Sequence, residues 1–275
     1  MRKTFIKETP FYQFHLLQKF SDQIGHAVFS RHGGFSGAPY DALNVRFGIG
    51  DKQRDVVKNR RLICKVLDLE EGRLVSANQT HSKNVQVVDE EFLASSKESG
   101  SEFEVDDMDA LVTDLENVGL MIQVADCQAL LLYDPVKRVV AAVHAGWKGL
   151  VQDVSGATVE VMVKKFGADP ARILVGIAPS LGPCCAFFTN PENELPGSFA
   201  KYIDKQKRVD LWSYSLDQLQ THGISMNNIE LAKVCTQCGK GGGKGAKGNF
   251  FSFRGQHGIT GRFGVAIYLR SVGSL

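Results

Sequence analysis

Residues 119–147 read GLMIQVADCQALLLYDPVKRVVAAVHAGW, and how this stretch is divided decides the fold. Leu120–Ala125, Ala129–Tyr133 and Val139–Val143 are apolar runs of strand length. Their hydrophobic positions barely alternate, the mark of strands covered on both faces. Asp134-Pro135-Val136-Lys137 is a turn signal between the last two, so those two form an antiparallel hairpin. With these four residues as the loop, Tyr133 faces Arg138, and the same register sets Cys127 directly opposite His144. Opposed residues on one face have Cβ atoms roughly 4.5–5.5 Å apart. A hairpin apolar on both faces is not pinned by its pattern, however, and a slip of one residue would turn the two side chains apart.

Outward from the hairpin, His26–Phe29 reads as a strand ended by the turn Ser30-Arg31-His32-Gly33-Gly34. Asp51–Leu69 carries Val56, Leu62, Ile63, Val66 and Leu67 at helical spacing, with Asp51 as the N-cap. Arg73–Ala77 and Val85–Val88 are strands flanking the loop of His81, and Leu93–Val105, rich in Ser and Glu, is an exposed loop. Val151–Phe166 has helical spacing, and Ile173–Ile177 is a further strand. Helical patches lie between Phe199 and His222, Ile229–Val234 and Phe250–Phe253 are extended, and Phe263–Leu269 is a closing strand. Strand and helix mix without a regular βαβ repeat. That predicts one α+β domain over residues 1–275, with a mixed, mainly antiparallel sheet and flanking helices.

Hydrophobic residues make up 43% of the chain and charged residues 23%, enough apolar material for a substantial core. A formal net charge of +2 without a concentrated basic face argues against a nucleic-acid partner. The most apolar segment, Gly119–Tyr133, is interrupted by Gln123, Asp126 and Gln128 and cannot span a membrane. No signal peptide is apparent, and six irregularly spaced cysteines do not suggest a disulfide framework, so a cytoplasmic protein is expected.

His81, Cys127 and His144 offer two imidazoles and a thiolate, ligands that suit zinc, and three protein ligands leave a fourth position open for chemistry. The other cysteines signal less. Cys235-x-x-Cys238 is half of a zinc ribbon with no visible second half and reads as a structural or incidental pair. Vicinal Cys184-Cys185 follows Gly182-Pro183 and is expected to pack under the site. Gly239–Gly248 lacks the Gly-x4-Gly-Lys-Ser/Thr pattern of a phosphate loop and reads as a mobile surface loop.

Several segments are recognisable together: Ser30-Arg-His-Gly-Gly34, Leu43-Asn44, Asn59-Arg60, Asn78-Gln-x-His81, Asp109-Ala-Leu-Val-Thr113 and Ala125-Asp126-Cys127. They are followed by Val143-His-Ala-Gly-Trp-Lys-Gly149, Gly176-Ile-Ala-Pro-Ser-Leu-Gly-Pro-Cys-Cys185, Phe250-Phe-Ser-Phe-Arg254 and Thr260-Gly-Arg262. With these segments the chain resembles the laccase-domain, or polyphenol oxidase, family, also called the peptidoglycan-editing-factor or purine nucleoside phosphorylase family. The resemblance implies catalytic zinc on His81, Cys127 and His144. It also implies phosphorolysis of adenosine, inosine and S-methyl-5′-thioadenosine to a free base and a ribose 1-phosphate, together with adenosine deamination. Purine nucleosides and inorganic phosphate are then the expected partners. Two places depart from the family pattern: the Gly/Lys-rich loop after Cys238, and Arg254-Gly-Gln-His-Gly, where a second arginine and an acidic residue are common.

The older family name implies copper-dependent phenol oxidation. Multicopper oxidases need paired His-x-His motifs, and this chain has seven histidines and no such pair, although a single copper could sit on the same three ligands. Deamination would need a general acid/base, and Asp126 is the nearest carboxylate in sequence, though alternation turns strand neighbours to opposite faces. Phosphorolysis needs an anion pocket, for which Ser30, Arg31, Asn44 and Arg60 are the expected donors. Arg60 also reads as a solvated helix residue. Trp147 either lines a purine pocket or anchors the core, and Asn78 and Gln79 hold either the His81 loop or a ligand. Two alternatives stay open: a metal-free hydrolase with Cys127 as nucleophile and His144 as base, and a cell-wall precursor editing or binding protein with a structural zinc. A fourth ligand from Cys235 or Cys238 would favour the latter.

Overall fold

In the computed structural model, which describes residues 1–6, 9–98, 104–242 and 247–271, Asp134 sets the register of the central hairpin. Its Oδ1 accepts from the backbone N–H groups of Val136 (2.8 Å) and Lys137 (3.1 Å). Arg138 takes a left-handed conformation (φ 51°), so the turn occupies residues 135–138 and Asp134 pairs with Val139. His144 therefore faces Ala129 instead of Cys127, a displacement of two residues from the expected pairing. Because the side-chain period is two, that displacement preserves the face, and a displacement of one would not have.

In chain order the strands are β1 (Arg2–Ile6), β2 (Thr9–Gln13), β3 (Ile24–Phe29), β4 (Leu74–Asn78), β5 (Val85–Val87), β6 (Glu104–Asp106) and β7 (Ala110–Thr113). They continue with β8 (Gly119–Val124), β9 (Gln128–Asp134), β10 (Val139–Ala145), β11 (Leu174–Ile177), β12 (Ile229–Leu231) and β13 (Phe263–Leu269). The expected single sheet is in fact two. One has the order β1-β2-β3-β13-β8-β4-β6, the other β12-β11-β9-β10-β7-β5. Most pairs are antiparallel, while β4 with β6 and β8, β5 with β7, and β11 with β12 are parallel.

The two-sheet arrangement explains the non-alternating apolar runs. Leu131, Tyr133, Val140 and Ala142 point into a core shared with Leu120, Ile122, Val265 and Ile267 of the facing sheet. Their neighbours Leu130, Leu132, Val139, Ala141 and Val143 point the other way, under Leu150, Val159, Met162 and Leu219. Those four belong to helices α4 (Trp147–Val151), α5 (Val154–Phe166) and α7 (Leu211–Thr221). The outer face of the other sheet is covered by Ile63, Val66 and Leu67 of α2 (Gln53–Leu67). The short α1 (His15–Gln18), α3 (Glu90–Glu98) and α6 (Pro191–Glu194) complete the helices. Among the described residues no helix is long and apolar enough to cross a membrane.

Several local expectations are corrected. Lys52, not Asp51, occupies the N-cap of α2, because Asp51 Oδ2 is taken by the Ser36 hydroxyl (2.7 Å) and Asn44 Nδ2 (2.8 Å). Leu93–Val105 is not simply a loop: α3 runs to Glu98, Asp89 Oδ1 accepts from Phe92 N at its start, and β6 begins at Glu104. The helix expected over Val151–Phe166 is broken where Asp153 turns left-handed (φ 61°) and caps α5 by accepting from Gly156 N. Phe250–Phe253 is not a strand. Residues 243–246 of the Gly/Lys-rich loop lie outside the described residues.

His26 on β3 is 3% exposed, and its Nε2 accepts from Phe14 N at 2.9 Å. Burial lowers its pKa to about 4. A neutral imidazole is thus part of the folded state, and its contribution is complete above the unfolded pKa near 6.5 and is lost as pH falls toward 4. The expected loss is about 1.4 kcal/mol per pH unit, about 3 kcal/mol in all. Urea melts between pH 7 and 4 should show this slope, reduced by one proton in His26→Gln; an unchanged slope in the variant contradicts the assignment.

Candidate metal centre

Three loops and strand ends converge where the two sheets meet. His81 sits in the turn after β4 with a left-handed backbone (φ 64°), Cys127 lies between β8 and β9, and His144 is the penultimate residue of β10. The three potential ligand atoms lie within 4.8 Å of one another. Cys127 Sγ is 3.7 Å from His81 Nε2, and the two imidazole rings meet edge to face with centroids 4.8 Å apart. Gly146 closes the cradle. A Cβ there would lie 2.6 Å from His81 Cδ2 and 3.0 Å from Cys127 Sγ, so any side chain would fill the space between the ligands. Two imidazoles and a thiolate around that space fit zinc with one position left for a reactant. Neither Cys235 nor Cys238 joins the trio; they group with Cys184 and Cys185, which pack against the cluster of Leu181, Ala186 and Cys235, and Leu181 lines the cleft over this centre.

Asp109, fully buried and immediately before β7, organises the centre. Its Oδ1 lies 2.6 Å from His144 Nδ1 and accepts from His81 N (3.1 Å), while Oδ2 accepts from Ser82 N (2.6 Å) and the Ser82 hydroxyl (2.8 Å). One carboxylate thus orients the His144 ring and ties down the His81 turn, as carboxylates behind metal-bound histidines do. Burial disfavours its charge, but the bonds to His144 and Ser82 outweigh it and hold the carboxyl far below the usual range. Burial would raise the Cys127 thiol; His144 and His81 reverse this and bring it down to about 6. Burial would lower His144, yet Cys127 and Asp109 raise it to about 9. The two shifts run toward a thiolate on Cys127 and an imidazolium on His144, each favoured by the other's charge.

A cleft of about 520 Å³ opens over the centre. Trp147, Phe188 and Phe253 line it, with Trp147 and Phe188 in edge-to-face contact at 6.1 Å. Its cations are Arg46, Arg254 and Arg262. Ser30, Arg31, Asn44 and Arg60, the expected phosphate donors, are not among the lining residues, because the protein itself uses their polar atoms. Ser30 donates to Pro10 O, Arg31 is bonded to Asp41 and Gln256, and Arg60 is buried against Val45 O, Ser76 and Glu104. Asn44 acts from behind the wall: its Oδ1 accepts from Arg46 N (3.1 Å) and Arg262 N (2.9 Å), placing both arginines. Gln79 exchanges bonds with the Gln123 backbone and holds the His81 loop, while Asn78 Oδ1 accepts from Arg46 Nη2 (2.6 Å).

Asp126 lines the cleft beside Cys127 in a left-handed conformation (φ 88°). Its Oδ1 accepts from the Thr236 hydroxyl (2.6 Å) and its Oδ2 from Arg254 N (2.7 Å), which ties the Cys127 turn to two distant segments. Arg254 Nη1 donates to Phe187 O, and its guanidinium lies over the Phe188 ring. Asp109, Arg46 and Arg262 are the candidate site residues that sequence reasoning did not assign. Asp109 and Arg262 stand in segments that marked the resemblance, and that was the available signal.

A sequence model of a family described as multi-copper polyphenol oxidoreductase laccase matches residues 25–270. Purine nucleoside phosphorylase YlmD of Bacillus subtilis (strain 168) is 30% identical over 244 residues, 85% of this chain and 84% of that protein. Purine nucleoside phosphorylase ORF3 of Streptomyces griseus is 32% identical over 252 residues, 89% of this chain and 94% of that protein. The crystal structure of YlmD from Geobacillus stearothermophilus matches with a TM-score of 0.82 at 25% identity, covering 98% of each chain.

Proposed function

The chain belongs to the multi-copper polyphenol oxidoreductase laccase family, and from that premise we propose that it is a zinc-dependent purine nucleoside phosphorylase. Its substrates would be adenosine, inosine and S-methyl-5′-thioadenosine with inorganic phosphate, handled by one domain spanning residues 1–275. One observation carries the reading: the cleft over the three ligands combines an aromatic wall with Arg46 and Arg262. Burial lowers the Arg262 pKa, and the charge of Arg46 acts in the same direction. Two guanidinium groups that oppose each other are relieved by an anion between them, and their planar forks match phosphate oxygens.

In phosphorolysis a phosphate oxygen bonds to C1′ of the ribose as the bond from C1′ to the purine nitrogen breaks, and the departing base takes up a proton. Arg46 and Arg262 would hold the phosphate, and Trp147 with Phe188 would hold the purine face. His81, Cys127 and His144 would hold zinc, which when bound supplies a Lewis-acid charge to a developing anion. Copper oxidation fits these residues less well, because the described residues contain no second histidine group that could build a trinuclear cluster. Deamination of adenosine has a weaker footing, since both carboxylate oxygens of Asp126 already accept bonds from Thr236 and Arg254. We read the setting as cytoplasmic, with none of the six cysteines in a disulfide.

Purified protein should release adenine from adenosine only when phosphate is present. Arg262→Ala should raise the KM for phosphate roughly 10–100-fold, the factor expected from a charge-assisted bond of about 1.5–3 kcal/mol. Its effect on the nucleoside KM should be much smaller. Base release without phosphate, or an unchanged phosphate KM in the variant, would overturn the reading; inosine as the product would reveal deamination.

A further inference from the structure

The four cysteines outside the catalytic centre converge at a second place. Cys184 and Cys185 follow the Gly182-Pro183 turn, and Cys235 and Cys238 flank Thr236-Gln237. Nearly fifty residues of chain separate the two pairs, yet a parallel bridge between Ser180 and Cys235 joins their segments, with Ser180 N donating to Val234 O and Thr236 N to Ser180 O. All four sulfurs lie within 4.8 Å of one another, and Cys184 and Cys238 are 3.5 Å apart. Four thiolates around a zinc at about 2.3 Å stand about 3.8 Å from each other, so little movement separates this cluster from a tetrahedral ligand set. A disulfide would need about 2.05 Å, and all four cysteines are free.

Backbone donors face two of the four sulfurs, while burial and the neighbouring thiols raise the pKa of Cys184 and Cys185. Gly182 N donates to Cys235 Sγ at 3.3 Å, and the backbone N–H of Lys240 donates to the Cys238 sulfur. Gly239 N donates to Cys235 O at 2.8 Å, closing the turn after the Cys-x-x-Cys segment. Gly241 (φ 92°) lets that turn lie against the segment leading into Cys235, since a Cβ there would be 1.8 Å from Lys233 O. A surface depression beside Cys184 is lined by Arg208, Lys233, Lys240 and Asp204; Asp204 pairs with Arg208 at 2.7 Å, and Lys233 and Lys240 add positive charge near a site that would carry a net negative charge as a zinc tetrathiolate.

We propose that Cys184, Cys185, Cys235 and Cys238 form a second, structural zinc site, closed by four protein ligands and separate from the catalytic centre. The site would clamp two segments that grip the Cys127 turn. Leu181 N donates to Asp126 O at 2.8 Å, and the Thr236 hydroxyl donates to Asp126 Oδ1 at 2.6 Å. Leu181 itself lines the catalytic cleft. The second zinc would thus hold the wall beside Cys127 without touching a reactant.

The full-length protein, purified under reducing conditions, is tested by metal analysis and zinc X-ray absorption. Cys127→Ala disables the catalytic set and should retain one zinc per chain with four sulfur ligands at about 2.3 Å. The double variant Cys184→Ser/Cys238→Ser should lose one zinc equivalent relative to wild type and should unfold at lower temperature. Should that double variant fail to fold, the sulfur count in Cys127→Ala still decides the matter. A zinc-free Cys127→Ala protein, a mixed nitrogen and sulfur shell in it, or a Cys184–Cys238 disulfide under reducing conditions would overturn the proposal.

Discussion

Replacing Cys127 by alanine is expected to lower phosphorolysis at least about a thousandfold while leaving the fold in place, as one of the three proposed metal ligands is lost and with it the charge that a bound zinc would supply. The fold should survive because Cys127 is only half-buried and borders an open cleft, so truncating it leaves no closed cavity. Loss of activity alone does not identify the metal. Cys127 and His144, each shifted toward its charged form by the other, are also the residue types that cysteine hydrolases pair, and the same variant would disable a nucleophile. Chelation separates the two cases. Wild-type protein stripped of metal should be as inactive as the variant and should recover on addition of zinc, whereas the variant should not recover. Full activity in verified metal-free protein would refute zinc catalysis and leave the nucleophile standing. Circular dichroism and metal content, measured on the same samples, establish that the variant is folded.

The central hairpin shows why part of this centre was legible in the sequence. Its apolar runs and turn signal locate β9 and β10 to within two residues at each end, and parity alone keeps Cys127 and His144 on one face. The pairing partner differs from the expected one because Asp134 belongs to the strand and folds its carboxylate over the turn, a choice made by hydrogen bonding and invisible to hydrophobicity. The division into two sheets is invisible in the pattern for a related reason: strands covered on both faces look alike whether helices or another sheet provide the cover.

The polar residues were harder to place. Ser30, Arg31, Asn44 and Arg60 look like anion ligands by type, but Asn44 is fully buried and Arg60 nearly so, with partners supplied from 44 residues away for Arg60 and 218 for Asn44. Nothing in residue type separates a buried arginine that braces a loop from one that meets a ligand. The two cysteine pairs illustrate the same limit. Each looks incomplete alone, and only the parallel pairing of β11 with β12, which carries on to the Ser180–Cys235 bridge, brings them together. Asp109 could not be assigned from its segment either, because its partners lie 27 to 35 residues away on both sides in sequence.

Asp109→Asn should produce the largest effect of any change that touches no reactant. The carboxylate accepts from His144 Nδ1, from the backbone of His81 and Ser82, and from the Ser82 hydroxyl, with no solvent exposure. An amide can replace only one of its two oxygens with an acceptor. The other position becomes an NH₂ group facing donors, either His144 on one side or Ser82 on the other. A buried, charge-assisted cluster broken in this way is expected to lose about 3 kcal/mol of stability. Zinc affinity should fall about 10–100-fold, because neither the His144 ring nor the His81 turn is held in place. The pH dependence has a definite sign: a carboxyl depressed in the folded state stabilises it above the unfolded pKa and loses that contribution as pH falls, so the variant should lack this part of the acid sensitivity. Chelator competition and urea melts at neutral pH measure the two losses. Unaltered zinc affinity would show that Asp109 merely packs beneath the centre, whereas weak binding that recovers full turnover at saturating zinc would identify it as the residue that positions the ligands.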